Sequence, residues 1–538
     1  MTSRNELILA NLIANRVESD ANLDVLTFVH IDNDRQIVSE TRTYQQLWDN
    51  AQCIASCLNA QGLKPGQSFG LLMKNHPEFV EAMIAASITG TVFVPIDPRT
   101  QGHKLKYMLE FSECQGVICA DYVLDNLYAV KAQLPEISWV IQLNTGIQLV
   151  ANKGAISLAP ILQAPVPDLP ILSIDPDAPM QMLYTSGTTG DPKAILSPHR
   201  RFGEAINLGT FLGLQQGDRP YSGLSLTHAN AQIITLGCSL KMGLRAVISR
   251  SFTKSKLWDI TREFDCTVFN LLGGMTTAVY SEANKPNDND NPVRYVISAG
   301  MPKAIWNDFK QRFNVEIFEF YGAAEGGLTI NPMGRGPVGS IGMAPPTLEV
   351  RIVDQDDIEC PRGIAGEIVF RHSDGSTPHV EYLKNKAATS KKVHSGWLRM
   401  GDIGHMDQEG WLFFHYRKGG GLRRNGDFVN PASIEKVVAE NPQVSDVYVY
   451  GVPAASGAPG EKDIVAAIVT SNPNDFDTAL LYAKFRENLD ANSVPSYIQI
   501  VDEIPKTASE KPQERFLIEL FDIQSERVFS YQKPAKNS

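Results

Sequence analysis

No stretch of this 538-residue chain is apolar enough for long enough to cross a membrane. Positive charge is also in short supply: 49 Lys and Arg stand against 60 Asp and Glu, a net charge of -11. That balance argues against a basic nucleic-acid footprint or an anchor on anionic lipid, while leaving room for a local basic groove around a phosphate ligand. Cysteine is sparse and scattered. The seven residues, Cys53, Cys57, Cys114, Cys119, Cys238, Cys266 and Cys360, contain no CxxC pair, so reduced core thiols are expected rather than a disulfide framework or a zinc site. No biased tract suggests disorder, and no short internal repeat is visible. The opening MTSRNELILANLIANRVESD has helical apolar spacing and acidic residues, where a signal peptide needs an unbroken apolar core and a cleavage site. These absences point to a compact soluble protein, expected in the cytoplasm.

The chain is too long for one hydrophobic core, and three or four folding units are expected. FGLLM (69–73), PEFVEAMIAASITG (77–90) and VFVPID (92–97) read strand, helix, strand, a unit in which the helix returns the chain for parallel pairing. QGVICA (115–120), YVLDNLYAVKAQL (122–134) and WVIQL (139–143) repeat the alternation, so the first half is expected to be layered α/β. Between about 330 and 415, short strand-like pieces separated by Gly, Pro and Asp turns suggest a β-rich subdomain. A second α/β pattern follows: ASIEKVVAEN, VYVYGVP, IVAAIVT, TALLYAKFRENL and YIQIV. At the boundary stands RKGGGLRRNGD (417–427), open to three readings: a phosphate cradle, a loose loop, or a joint between moving parts.

YTSGTTGDPKAI (184–195) follows the apolar QMLY and packs hydroxyls, two glycines and Lys193 into one short loop. Glycines let backbone N–H groups turn toward an anion, and Ser and Thr hydroxyls add donors. It is not a Walker A loop: the glycine spacing differs, and Ala194 rather than Ser or Thr follows the lysine. A generic loop of this composition would read as a polar surface turn.

The full string resembles the phosphate loop of the adenylate-forming superfamily, which includes acyl-CoA synthetases. Four further segments resemble that superfamily in order: EFYGAAEGG (319–327), WLRMGDIG (397–404), HYRKGGGLRRNGDFVNPASIE (415–435) and IPKTASEKPQERF (504–516). The wording of PASIEKV and VPSYIQIVDEIP is loosely similar to bacterial carnitine/crotonobetaine-type CoA ligases.

The resemblance implies an N-terminal adenylation domain over 1–418, with α/β layers and a β-rich part, and a small mobile α+β domain over 419–538. It implies an ATP-dependent acid–CoA ligase that forms acyl-AMP, releases pyrophosphate, and passes the acyl group to coenzyme A. The cofactor set it carries is ATP, Mg²⁺ and coenzyme A, with a carboxylic acid as substrate. By the same match, Thr185, Ser186, Gly187, Thr188, Thr189, Gly190 and Lys193 would hold phosphates, and Glu325 with Thr185 would hold Mg²⁺. Asp402 and Arg417 would bind the ribose. Gly300, Tyr321, Gly322 and Ala323 would line the AMP site, and His228, Asn230, Gly300 and Gly322 the acyl site. Lys511 is the implied catalytic lysine, an ammonium able to neutralise charge where carboxylate and α-phosphate meet. Arg423, Arg424 and Gly426 would attend coenzyme A, and Gly419 and Gly420 would form the hinge, which favours the joint reading of the glycine run.

Taken singly, each of these has an ordinary reading: Glu325 a surface carboxylate, Asp402 turn chemistry, Lys511 a solvated lysine, His228 a core histidine. His199, after the phosphate loop, is a weaker candidate still. The chain also departs from the pattern: Ala324 stands where a threonine is usual, Glu510 where a glycine is, and Gly419 and Gly420 where a charged residue and an aspartate are. Two alternatives stay open, a standalone adenylation enzyme that loads a carrier protein and a degenerate acyl-adenylate binder. THANAQ (227–232) offers no aspartate to pair with an amino group, and the pocket segments LSLTHANAQ, NLLGGM, SAGM and GAAEGG are small and apolar enough to suggest an uncharged acyl group. Oligomeric state, a homodimer included, is not legible.

Overall fold

The computed structural model of the protein describes residues 4–146, 154–185, 192–418, 422–424, 427–429, 431–455, 462–473, 475–489, 491–507, 510 and 512–531. Two large sheets dominate. One has eight strands in the order Gly326–Asn331, Glu316–Ala323, Tyr295–Ala299, Val268–Leu272, Pro220–Ser222, Ala246–Ser249, Asp24–Ile31, Ile37–Thr43, parallel except at its two edges. The other has seven, Ile156–Ser157, Trp139–Leu143, Cys114–Ala120, Ser68–Leu72, Val92–Pro95, Pro179–Thr185 and Lys193–Pro198, with only the last pair antiparallel.

The strand–helix–strand units expected from sequence are present: Ser68–Leu72 and Val92–Pro95 pair in parallel around the helix Pro77–Thr89. Every residue of that helix is buried, because it lies between the two large sheets. Phe69, Leu71 and Phe93 from one sheet and Leu26, Phe28, Val247 and Phe269 from the other share its core. Helices Gly102–Phe111 and Leu124–Lys131 cover the outer face of the seven-stranded sheet. The expected helix over 122–134 is shorter, a 3₁₀ turn at Asp121–Val123 followed by Leu124–Lys131, because Asp121 is spent accepting from Thr145 and the Tyr122 amide.

The β-rich segment forms a sheet of Leu348–Val353, Gly366–His372, Trp397–Met406, Val393–His394 and Leu412–Arg417. It is stitched to the seven-stranded sheet, since Leu383 N–H donates to the Ala194 carbonyl and Leu196 N–H to the Glu381 carbonyl. Farther along, Val444–Pro453, Lys462–Thr470, Tyr497–Ile500 and Val528–Ser530 form a four-stranded sheet, backed by helices Pro431–Ala439 and Thr478–Asn488, with cores of its own. This C-terminal unit touches the rest at chosen points. Lys436 pairs with Asp308 at 2.7 Å, and the Lys254 ammonium donates to the Ser445 carbonyl.

Candidate active site

In open α/β sheets, ligands bind beyond the carboxyl ends of parallel strands. Here the ends of Val268–Leu272, Tyr295–Ala299 and Glu316–Ala323 bring Gly273, Gly300 and Gly322 together. Gly300 has φ +96°, a conformation glycine adopts without steric cost, and a Cβ on Gly273 would collide with the Gly300 carbonyl. The turn is fixed from beneath by Glu319, whose carboxylate accepts from the Gly300 N–H at 2.5 Å and the Met301 N–H at 3.1 Å. Burial pushes the Glu319 pKa up to about 8, despite those donors. Sequence reading missed Glu319; the available signal was a glutamate between Phe318 and Phe320 on an otherwise apolar strand.

Glu325 occupies the tight turn between antiparallel strands Glu316–Ala323 and Gly326–Asn331. Its carboxylate accepts from the Tyr382 hydroxyl at 2.6 Å and lies 3.9 Å from the Lys392 ammonium, with 10% of the side chain exposed. Burial alone would raise its pKa, but Lys392 and Tyr382 together carry it below the ordinary value, so it stays ionised. Burial pulls Lys392 the other way, down from the usual lysine range, against the attraction of Glu325. Beside this cluster the Arg201 guanidinium donates to the Ala324 carbonyl, and the Lys193 ammonium stands 5.5 Å over the Tyr382 ring. Lys193 is placed by register, opposite Thr185 on the antiparallel pair Pro179–Thr185 and Lys193–Pro198. Tyr382 and Lys392 come from a loop and a helix end with no motif around them, which is why sequence reading did not single them out.

Asp402 is 4% exposed and faces Arg417 across the pair Trp397–Met406 and Leu412–Arg417. Its carboxylate accepts from the Tyr321 hydroxyl at 2.5 Å and lies 3.3 Å from the Arg417 guanidinium. Burial and the neighbouring Asp402 charge both raise the Tyr321 pKa, keeping that hydroxyl a donor. Glu367 braces the same turn, accepting from the Gly401 N–H at 3.2 Å and pairing with Arg399 at 2.9 Å and Lys418 at 3.0 Å. Tyr321, Glu325 and Asp402 are thus brought together in three dimensions, although Asp402 lies far along the chain from the other two.

Other candidates divide. Asn230 accepts from the Asn270 side-chain amide at 2.5 Å. His228 lies just before the π-helical segment Ala231–Gly237, its carbonyl accepting from the Gln232 N–H at 3.2 Å. His199 is a core residue, 1% exposed, with its pKa depressed by burial to about 4. The Arg424 guanidinium donates to the Val494 carbonyl within the C-terminal unit. Lys506, the chemical double of Lys511, is held by Asp446 at 2.5 Å. The side chains of Thr185 and Arg423, and residues Ser186, Gly187, Thr188, Thr189, Gly190, Gly419, Gly420, Gly426 and Lys511, lie outside the described residues.

The neighbour of Lys511 is described. Glu510 has φ +57°, the left-handed region, and its carbonyl oxygen stands 3.2 Å from the position a Cβ on Gly274 would take. The usual glycine at 510 is therefore explained by backbone geometry, and this chain adopts that geometry with a glutamate. Glu510 accordingly lies against Gly274, in the first turn of the helix that follows the strand Val268–Leu272.

A family model described as "AMP-binding enzyme" matches residues 28–376, and one described as "AMP-binding enzyme C-terminal domain" matches 433–511. The chain is 27% identical to the medium/long-chain-fatty-acid–CoA ligase FadD17 of Mycobacterium marinum over 458 residues, 83% of this chain and 85% of that protein. It is 24% identical to the crotonobetaine/carnitine–CoA ligase of Salmonella heidelberg over 482 residues, 87% and 91% of the two chains. Among solved structures, the anthranilate CoA ligase AuaEII in complex with anthranoyl-AMP superposes with a TM-score of 0.82 at 22% identity, covering 97% of this chain and 98% of that one.

Proposed function

Because this chain belongs to the AMP-binding enzyme family, we propose that it is an ATP-dependent acid–CoA ligase, which forms an acyl-adenylate with release of pyrophosphate and then the acyl-CoA thioester. The observation that carries this reading is the convergence of Tyr321, Asp402 and Arg417 with the ionised Glu325 and with Lys193 around the hairpin of Glu316–Ala323 and Gly326–Asn331. Asp402 is an acceptor fit for ribose hydroxyls, and its partners Tyr321 and Arg417 fix its orientation. Lys193 brings positive charge toward the phosphates.

Glu325 fits a hard divalent cation. It is anionic, nearly buried, and one of its oxygens is already fixed by Tyr382. Glu325 with Thr185 would hold Mg²⁺, which when bound supplies charge neutralisation to phosphate oxygens. Lys511 would then serve the meeting of carboxylate and α-phosphate, and it is the better candidate because Lys506 is committed to Asp446. Ala324 contributes no hydroxyl here, but its carbonyl is fixed by Arg201, so the turn carrying Glu325 keeps an anchor.

The rest of the reading follows from these parts. Residues 1–418 would act as the adenylation domain and 419–538 as the mobile part, pivoting about Gly419 and Gly420. The cytoplasm is the proposed compartment; all seven cysteines are free, and among the described residues no helix is long and apolar enough to cross a membrane.

A panel of carboxylic acids, assayed for pyrophosphate release with and without CoA, tests this reading. Acid-dependent release with acyl-CoA formed is expected; release that never depends on an acid would sink it, and acid-dependent release with no acyl-CoA would favour a carrier-protein acceptor. Lys511→Ala is expected to slow adenylation by orders of magnitude while leaving thioester formation from supplied acyl-adenylate nearly intact. Equal losses in the two half-reactions would remove the proposed role.

A further inference from the structure

The face of the eight-stranded sheet below Gly300 is apolar at most positions. Val268, Ile297, Phe318 and Phe320 form one buried cluster there with Ile234 from the π-helical segment. On the strand Val268–Leu272 one polar side chain interrupts it. Asn270 is 2% exposed, and its Nδ2 donates to Asn230 Oδ1 at 2.5 Å, leaving its own Oδ1 buried without a partner. A buried amide oxygen with no hydrogen bond is destabilising, and a polar group on a ligand would complete it.

Register fixes where the ligand group must lie. Asn270 pairs with Ile297, two residues before the Leu272–Ala299 pair that ends at the Gly273 and Gly300 turn. At ~3.3 Å per strand residue, the amide lies roughly 10 Å down the sheet from Gly300. Asn230, its partner, is on the segment between His228 and the π-helix, a break in regular helical winding of the kind often found at functional sites.

Resting on the acid–CoA ligase reading above, we propose that the Asn230–Asn270 pair is a recognition point for an alcoholic hydroxyl on the acid, carried at the far end of an otherwise apolar acyl group. A hydroxyl suits the pair in either orientation of the Asn270 amide. As drawn, the free Oδ1 accepts from O–H; with both amides turned over, so that Asn230 Nδ2 donates to Asn270 Oδ1, the free N–H of Asn270 donates to the hydroxyl oxygen. A carbonyl group satisfies only the second arrangement, and an ammonium would meet no carboxylate in THANAQ or on Val268–Leu272. The preferred acids are therefore neutral beyond the carboxylate, with a hydroxyl separated from it by about 10 Å.

The test uses matched pairs of acids, alicyclic or long-chain, that differ only by a hydroxyl at that distance, together with the corresponding keto acids. Acyl-CoA formation is measured with the native enzyme and with Asn270→Leu. The native enzyme should favour the hydroxy acid over its deoxy partner by tenfold or more in kcat/KM, and Asn270→Leu should abolish or reverse that ratio. Equal use of hydroxy and deoxy acids by the native enzyme would overturn the proposal, as would a preference for the keto acid. No acid-dependent pyrophosphate release from any member would instead count against the ligase reading itself. Because the native ratio is measured on its own, a misfolded variant does not rescue the idea.

Discussion

Tyr382 holds Glu325 by a hydroxyl that donates to an ionised carboxylate, and bonds of that kind contribute about 1.5–3 kcal/mol. Tyr382→Phe should therefore slow acid-dependent pyrophosphate release by tenfold or more and raise the Mg²⁺ concentration needed for half-maximal rate. An unchanged Mg²⁺ dependence would separate Tyr382 from the metal. Glu319 gives a pH signature. Its folded pKa near 8 exceeds the ordinary 4.5, so between those values the folded protein keeps a proton that the unfolded chain releases. Stability is then lost as pH rises from about 4.5 to 8. Glu319→Gln removes this slope. Its denaturation midpoint, measured against the native protein, should gain steadily from pH 5 to pH 8, and parallel curves would refute the raised pKa. Neither residue was visible in the sequence as part of the site. Asp402, Glu325 and Lys193 were singled out, through the resemblance of the segments around them to the adenylate-forming superfamily; alone, each reads as an ordinary polar residue. A tyrosine that reaches in from a loop leaves no such trace.

The strand ends at Gly273 and Gly300 pack backbone against backbone. Gly273→Ala would push a methyl group into the Gly300 carbonyl, an overpacking that costs about 1–3 kcal/mol and displaces the turn held by Glu319. Acyl-adenylate formation should fall at least tenfold while the far-ultraviolet circular dichroism of the protein stays native. Retained activity would mean that this turn is not part of the reacting site. At this scale the sequence read well: parallel strands flanking Pro77–Thr89, the β-rich sheet, and the C-terminal strands and helices all lie where alternation and turn residues put them. What it could not supply was which sheets share a helix. Pro77–Thr89 is buried on every side, so it has no polar stripe to say which way it faces.

The C-terminal unit rests on the remainder through Lys436–Asp308, Lys254–Ser445, and the approach of Glu510 to Gly274. An exposed ion pair is worth little, about 1 kcal/mol at most, which fits the proposal that this unit moves. Lys436→Glu should slow adenylation a few-fold, more at low salt, and the exchange Lys436→Glu with Asp308→Lys should restore it. If adenylation is untouched while thioester formation slows, that pair belongs to the other orientation of the unit. The relative placement of the two units was not legible in sequence, since the glycine run announces freedom of movement but not where movement stops. The seat of Glu510 on Gly274 has a consequence for redesign. Gly274 stands in the first turn of the helix Gly273–Tyr280, beside the proposed acid site, and Glu510, next to Lys511, rests against it, so on the proposed reading a bulkier residue there would do more than select smaller acids. If the C-terminal unit moves as proposed, it would also delay the arrival of Glu510 and its neighbours for every acid, and specificity engineered at Gly274 would be obtained together with a change in the enzyme's timing.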